Sequence, residues 1–158
     1  MTRGAPAAFA AVLLCASSAH AWGLATHRWV ALRAAELVRD RCPTLAAAPP
    51  SVLGQAAVEP DTLLKRLYGR GELVRHFLNL DHYGPPPFRA LAHDRAVAES
   101  RFGRGVVERE GILPWHGADV ARRLRDELGR GDLPAARITA GYLAHYAADA
   151  TMPLHATE

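Results

Sequence analysis

Apolar residues recur along most of this chain at the spacing of helices rather than of strands. This periodicity predicts helices over residues 26–40, 51–57, 61–68, 94–102, 114–128 and 132–151. The first helix would turn one apolar face to the core, formed by Trp29, Val30, Ala34, Leu37 and Val38. We find no regular alternation of the kind that marks a sheet, so we predict an all-α fold.

Capping residues and helix breakers mark the predicted helix ends. Side chains suited to N-caps are those of Thr26, Asp61 and Asp132. Pro114 suits a first helical position, and Gly129 follows the end of that helix. The apolar segment 73–80 fits either a helix or a strand, and the prolines of segment 84–87 indicate an irregular loop.

The start of the chain has the pattern of a cleavable signal peptide. Arg3 precedes a short apolar run, and small residues then fit cleavage before Trp22. A lipoprotein signal at Cys15 is the alternative, but the bulky residue before this cysteine disfavours it. We therefore expect residues 1–21 to be removed and residues 22–158 to form one domain of a secreted or periplasmic protein.

Composition narrows the classes of protein that fit. The 158 residues, with a mass of 17.1 kDa, are the size of one domain. Acidic residues lie among the arginines, so the net charge of +3 gives no clear stripe for nucleic acid. Two cysteines exclude a disulfide-rich scaffold. Eight histidines are many for this length and direct attention to their placement.

The last predicted helix carries the clearest chemical signal. His145 and Asp149 are four residues apart, so they share one helix face, and their neighbours there are small or apolar. A buried imidazole and carboxylate need a partner, and Zn²⁺ is one that suits both. A simple hydrogen-bonded pair is the alternative interpretation. His155 follows the break at Pro153 and can reach a neighbouring position.

Three other residues offer metal ligands, each with a simpler alternative. His76 lies in an apolar run and is expected to point inward, where it can also be a core histidine bonded to backbone. The free amine and the carbonyl of Trp22 can close a chelate ring on a metal once the signal peptide is removed. His27, five residues on, adds a third ligand there, unless this terminus is simply frayed.

Five motifs occur in one order along the chain. They are Trp22 with Thr26 and His27; Glu59, Pro60 and Asp61; His76 and Phe77; Gly111, Pro114 and Trp115; and His145, Asp149, Pro153 and His155, spaced HxxxDxxxPxH. Together they resemble the zinc-dependent phospholipase C family, part of the superfamily that includes the S1/P1 nucleases. The resemblance covers nearly all of the chain after the signal peptide. It implies a helical bundle of the phospholipase C / P1 nuclease type.

The resemblance also implies a set of zinc ligands. One zinc would be held by Asp61, His76, His145 and Asp149. A second would be held by the amine and carbonyl of Trp22, with His27 and with Asp149 as a bridge. His155 would be one ligand of a third zinc, whose other ligands in the family come from beyond position 158. We therefore expect the C-terminal part of the domain to be missing and the ligands to be complete for two of three ions.

The activity implied by the resemblance is that of a secreted phosphodiesterase. A zinc-activated hydroxide would attack the phosphorus of a phospholipid head group, with Asp61 and Asp149 as the catalytic carboxylates. The partners would be a phospholipid or another phosphodiester and, transiently, a membrane surface. One alternative is a single-strand nuclease of the same superfamily, with nucleic acid as its partner. Another is a truncated, inactive zinc-binding helical domain.

Overall fold

The computed structural model describes residues 22–157, and these residues form helices and loops without a strand. The prediction of an all-α fold is therefore confirmed for this part of the chain. The expected signal peptide, residues 1–21, lies outside the described residues, as does Glu158. None of the described helices is both long enough and apolar enough to cross a membrane.

The first half of the fold is built from short helices. They are α1 (Leu24–Leu37), α2 (Pro43–Ala46), α3 (Pro50–Ala56), a π-helical turn (Pro60–Leu64), α4 (Lys65–Tyr68) and α5 (Arg70–Leu73). Prolines stand at the first turn of three of these elements, where a missing N–H costs no hydrogen bond. The predicted helices over residues 51–57 and 61–68 are confirmed, the second with a π-helical start.

The second half contains the two longest helices. Its elements are a 3₁₀ turn (Leu80–Tyr83), α6 (Arg95–Phe102), α7 (Arg104–Arg109), α8 (Leu113–Gly129), α9 (Leu133–Asp149) and a 3₁₀ turn (Pro153–His155). The Asp132 side chain accepts a hydrogen bond from the N–H of Ala135, so its predicted N-cap role is confirmed. Helix α9 ends at Asp149, two residues before the predicted end.

Helix α9 is central to the packing, since it contacts α8, α3 and α1. Small side chains let α3 approach it closely. A Cβ atom built on Gly141 would lie 2.5 Å from the Cβ of Ala56 and 3.0 Å from the N of Ala57. This close approach brings the loop after α3 against the face of α9 that carries His145.

The predicted cap and apolar face of the first helix are wrong. Gly23 is the N-cap of α1, and Thr26 lies inside the first turn. Trp29 and Leu37 are 65% and 70% exposed, whereas the buried residues of α1 are His27 and Ala31. The helix is rotated because it packs through a stripe of histidine and alanine against α9, which leaves its larger side chains outside.

The ambiguous segment 73–80 is neither a continuous helix nor a strand. After α5 it runs as an irregular connection, held by backbone hydrogen bonds on both sides. The N–H groups of Leu78 and Leu80 donate to the carbonyls of His155 and Ala156, at 2.8 and 2.9 Å. The carbonyl of Val74 accepts from the N–H of Ile112 at 2.7 Å. These bonds fix the backbone around His76.

We predict that Gly141→Ala lowers the free energy of unfolding by about 1–3 kcal/mol, because the added methyl overlaps atoms of α3. Urea unfolding followed by circular dichroism measures this change. Gly117→Ala in α8 is the control, since nothing lies within 4 Å of its Cβ position, and this variant should be slightly more stable than wild type. Equal stability of the two variants would contradict the close approach of α9 to α3.

Candidate metal centre

Five side chains from four parts of the fold converge on one buried point. They are His27 of α1, Asp61 of the π-helical turn, His76 of the connection after α5, and His145 and Asp149 of α9. Two groups of three have ligand atoms that all lie within 4.8 Å of one another. One group is His27, His145 and Asp149, and the other is Asp61, His76 and His145. All five residues are among the metal ligands predicted above.

The spacing of His145 and Asp149 on α9 turns both side chains into this point. His145 Nε2 lies 3.2 Å from Asp149 Oδ2 and 3.0 Å from His76 Nδ1. His145 Nδ1 lies 2.9 Å from the carbonyl oxygen of Ala57, which can only accept a hydrogen bond. The Nδ1 atom is therefore protonated, and the lone pair of neutral His145 is on Nε2, which faces the other ligands.

His76 approaches from the opposite side through its other ring nitrogen. Its Nδ1 atom lies 2.9 Å from Asp149 Oδ2 and 3.7 Å from Asp61 Oδ1. The ring is buried, with only 3% of the residue exposed. The prediction that His76 points inward is confirmed, but its partners are ionisable side chains rather than backbone alone.

His27 completes the buried part of the cluster. Its Nε2 atom lies 3.4 Å from Asp149 Oδ1 and 3.7 Å from Asp61 Oδ2. Its ring stacks on that of His145 with 3.8 Å between centroids. The buried Nδ1 atom of His27 has no hydrogen-bond partner among the described residues. The helix stripe that buries His27 therefore presents Nε2 to both carboxylates.

The two carboxylates differ in their access to solvent. The side chain of Asp149 is 1% exposed, whereas that of Asp61 is 20% exposed. Lys65 donates a hydrogen bond of 2.6 Å to Asp61 Oδ1 from one turn further along. Asp61 makes no cap hydrogen bond, because the π-helical turn begins before it, so the prediction that Asp61 is an N-cap is wrong. Asp61 instead marks the mouth of the cluster.

Burial and mutual contacts set the protonation of the cluster. Burial raises the pKa of Asp149, but the contacts with His145 and His76 outweigh it and hold that pKa well below its usual range. Burial and the neighbouring His145 lower the pKa of His27 to about 4. Burial also lowers the pKa of His76, but contacts with Asp149 and Glu72 leave it above its ordinary value. Asp149 is thus ionised and His27 neutral near neutral pH.

The arrangement fits a metal cation. Imidazole nitrogens of His76 and His145 face each other at 3.0 Å with an ionised carboxylate beside them, so ligand atoms converge rather than pair off. A buried carboxylate among imidazoles needs a positive charge, which a proton on His76 or a cation can supply. The described His and Asp residues can therefore hold a metal ion.

Trp22 and His155 lie beside the cluster but outside both groups. The indole Nε1–H of Trp22 donates to the carbonyl of Ala148 at 3.1 Å, next to Asp149. His155 Nδ1 lies against the carbonyl oxygen of His76, and 4.0 Å from Asp149 Oδ1. His155 Nδ1 therefore donates to backbone, which leaves its Nε2 atom for other contacts.

Glu72 and the role of Tyr146 were not predicted from the sequence. Glu72 is fully buried, and the hydroxyl of Tyr146 donates to its Oε1 atom. Burial raises the pKa of Glu72, but contacts with His76 and Tyr146 and the charge of Arg75 outweigh it and leave this pKa lowered. The signal available in the sequence was the spacing of four between Glu72 and His76.

Comparisons of the chain with protein-family models, with curated proteins and with solved structures found no match. A proposal about its function therefore rests on the geometry of these side chains and on the order of the motifs.

We predict that Zn²⁺, used as a probe, raises the thermal stability of the protein and that Asp149→Asn removes most of this effect. At 100 times the dissociation constant, one bound ion adds about 2.7 kcal/mol to the free energy of unfolding. Asp149→Asn should show little shift because it removes the buried carboxylate that faces all three histidines.

The control is Asp126→Asn, which changes an exposed aspartate of α8 and should keep the full shift. Scanning fluorimetry with and without Zn²⁺ measures all three proteins. An unreduced shift in Asp149→Asn would show that the ion binds elsewhere.

Proposed function

We propose that this chain is a secreted zinc-dependent phosphodiesterase of the phospholipase C type. The observation that carries the proposal is the convergence of His27, Asp61, His76, His145 and Asp149 in an all-helical fold. To these residues, together with Trp22, the resemblance assigns two zinc ions.

Zinc is the proposed metal because of the donor set. Three imidazoles and two carboxylates form the cluster, and mixed nitrogen and oxygen ligands suit Zn²⁺ better than the oxygen-binding Mg²⁺ or Ca²⁺. Asp61, His76, His145 and Asp149 would hold one ion. His27, Asp149 and the amine and carbonyl of Trp22 would hold the other. The hydrogen bond from the Trp22 indole to the carbonyl of Ala148 supports this assignment, since it holds Trp22 beside the end of α9.

The chain's own residues have separate tasks in this proposal. When bound, a zinc pair polarises a phosphoryl oxygen and lowers the pKa of a bound water. Asp149, which is buried and contacts His76 and His145, would hold these two ligands in position around the metal. Asp61, at the solvent-facing mouth, is placed to orient the attacking water and accept its proton. Lys65, next to Asp61, supplies positive charge where a phosphodiester would approach.

Exposed apolar side chains favour a lipid substrate over nucleic acid. Trp29 lies 65% exposed on the helix that carries His27, and Leu67 and Tyr68 are 62% and 60% exposed just after the turn that carries Asp61. Large exposed apolar groups are typical of surfaces that meet lipid or protein. Tyr83, in contrast, packs in the core against Phe102 and does not line the site.

The test is hydrolysis by zinc-loaded protein that begins at Trp22. We expect release of the phosphorylated head group from a short-chain phosphatidylcholine, and loss of this activity on treatment with a chelator. Asp149→Asn is the inactive control, which excludes a contaminating enzyme. Faster cleavage of single-stranded DNA would support the nuclease alternative. Zinc binding without turnover of either substrate, or of a simple phosphodiester, would support the inactive zinc-binding domain.

We also predict that one extra residue before Trp22 lowers the zinc content by one ion per chain, because it converts the chelating amine into an amide. Metal analysis of gel-filtered protein gives the stoichiometry. Trp29→Phe, in protein that begins at Trp22, is the control, since it changes an exposed indole, keeps the terminal amine and carbonyl, and should keep both ions. Unchanged zinc content in the extended protein would refute the chelating terminus.

A further inference from the structure

Behind His76, on the side away from the other ligands, lies a fully buried carboxylate. Glu72 is in α5, four residues before His76, and its side chain has no exposed surface. Tyr146 donates to its Oε1 atom, and Arg75 Nη1 donates to its Oε2 atom at 2.8 Å. Two donors, one from α9 and one from the turn after α5, therefore fix this carboxylate in place.

Burying the carboxylate of Glu72 costs free energy, which points to a function for this residue beyond folding. A buried carboxylate loses its hydration, and ion pairs with neighbours often fail to offset that loss. Glu72 Oε1 lies 3.5 Å from His76 Nε2, the ring nitrogen for which residues 22–157 supply no hydrogen bond. The imidazole of His76 thus lies between Glu72 on one side and Asp149 on the other.

His145 of α9 shows what such an arrangement does. The carbonyl of Ala57 holds the proton of His145 on Nδ1, so that Nε2 faces the cluster. His76 needs the reverse, because its Nδ1 atom faces the cluster. An acceptor next to Nε2 favours the tautomer that leaves Nδ1 free to bind a cation.

We propose that Glu72 is a positioning residue for the metal centre, which accepts the Nε2–H of His76 and so directs the Nδ1 lone pair of His76 toward the metal. Tyr146 and Arg75 hold Glu72 in the orientation that this requires. The proposal rests on the proposed zinc site and extends it to a Tyr146–Glu72–His76 chain that nothing in the ligand set itself demands.

The primary experiment measures Zn²⁺ affinity by competition with a chromophoric chelator. Glu72→Gln should weaken the binding of one ion by about 10–100-fold, the usual effect of losing a partner of a metal-bound histidine. Glu110→Gln is the matched control, because Glu110 is also a buried carboxylate beside an arginine and a histidine, at 2.6 Å from Arg109 and 3.4 Å from His82. It should bind zinc as wild type does.

Glu72→Asp separates position from charge. This variant keeps the negative charge but withdraws the carboxylate from His76 by one methylene. We expect it to lose zinc affinity as well. Wild-type affinity in Glu72→Asp, with weaker binding in Glu72→Gln, would mean that Glu72 acts through its charge and would overturn the positioning role.

Nitrogen-15 NMR of the zinc-loaded proteins supplies a second measurement. The Nε2–H of His76 should be shifted downfield and protected from exchange in wild type, and less so in Tyr146→Phe, which leaves Glu72 with one donor fewer. This variant keeps the ring of Tyr146, so it provides the test even if Glu72→Gln does not fold.

The outcomes separate this proposal from the function it rests on. If wild-type protein binds no zinc, the zinc site itself is wrong and this proposal falls with it. If wild type binds zinc and both Glu72 variants bind it equally tightly, with an unchanged His76 resonance, only the role of Glu72 is overturned.

Discussion

The burial of Asp149 is the constraint on which the rest of the structure depends. Its carboxylate is 1% exposed at the end of α9, where an uncompensated charge would cost several kcal/mol. Three imidazoles contact this carboxylate, one from α1, one from the connection after α5 and one from α9 itself. Three features position these rings. They are the orientation of α1, the backbone hydrogen bonds from residues 78 and 80 to residues 155 and 156, and the close contact of α3 with α9.

Much of this could be predicted from the sequence, because it follows from local rules. Asp132 caps α9, and Gly131, at φ +73°, follows the C-cap of α8, whereas Gly129 is the last residue of that helix and not the residue after it. The spacing of four between His145 and Asp149 fixes a shared face once the helix is given. The helical interpretation needed no knowledge of tertiary contacts, and the choice of the five ligand residues came from the order of the motifs that carry the resemblance.

What could not be predicted depends on packing between distant segments. The apolar pattern of α1 favours Trp29 and Leu37 as core residues, but the close approach to α9 accepts only small side chains and His27. Asp61 carries the sequence signal of an N-cap, yet the π-helical turn, a rare feature often found at functional sites, aims it at the cluster. Glu72 reads as a surface residue of a short helix until Tyr146, which is 74 residues away, is seen to cover it.

The hydrogen bond from Lys65 to Asp61 has a consequence for how a metal would be taken up. In the described fold, the ammonium group already neutralises the carboxylate at the mouth, at 2.6 Å. An arriving divalent ion would therefore replace the ammonium group of Lys65 at Asp61 instead of binding an unpaired carboxylate. The observed binding free energy of such an ion is the difference between its interaction with Asp61 and that of Lys65. It is therefore smaller than the binding free energy of the same ligands without the lysine. The only lysine of the chain would act as a resident competitor, whose departure accompanies loading.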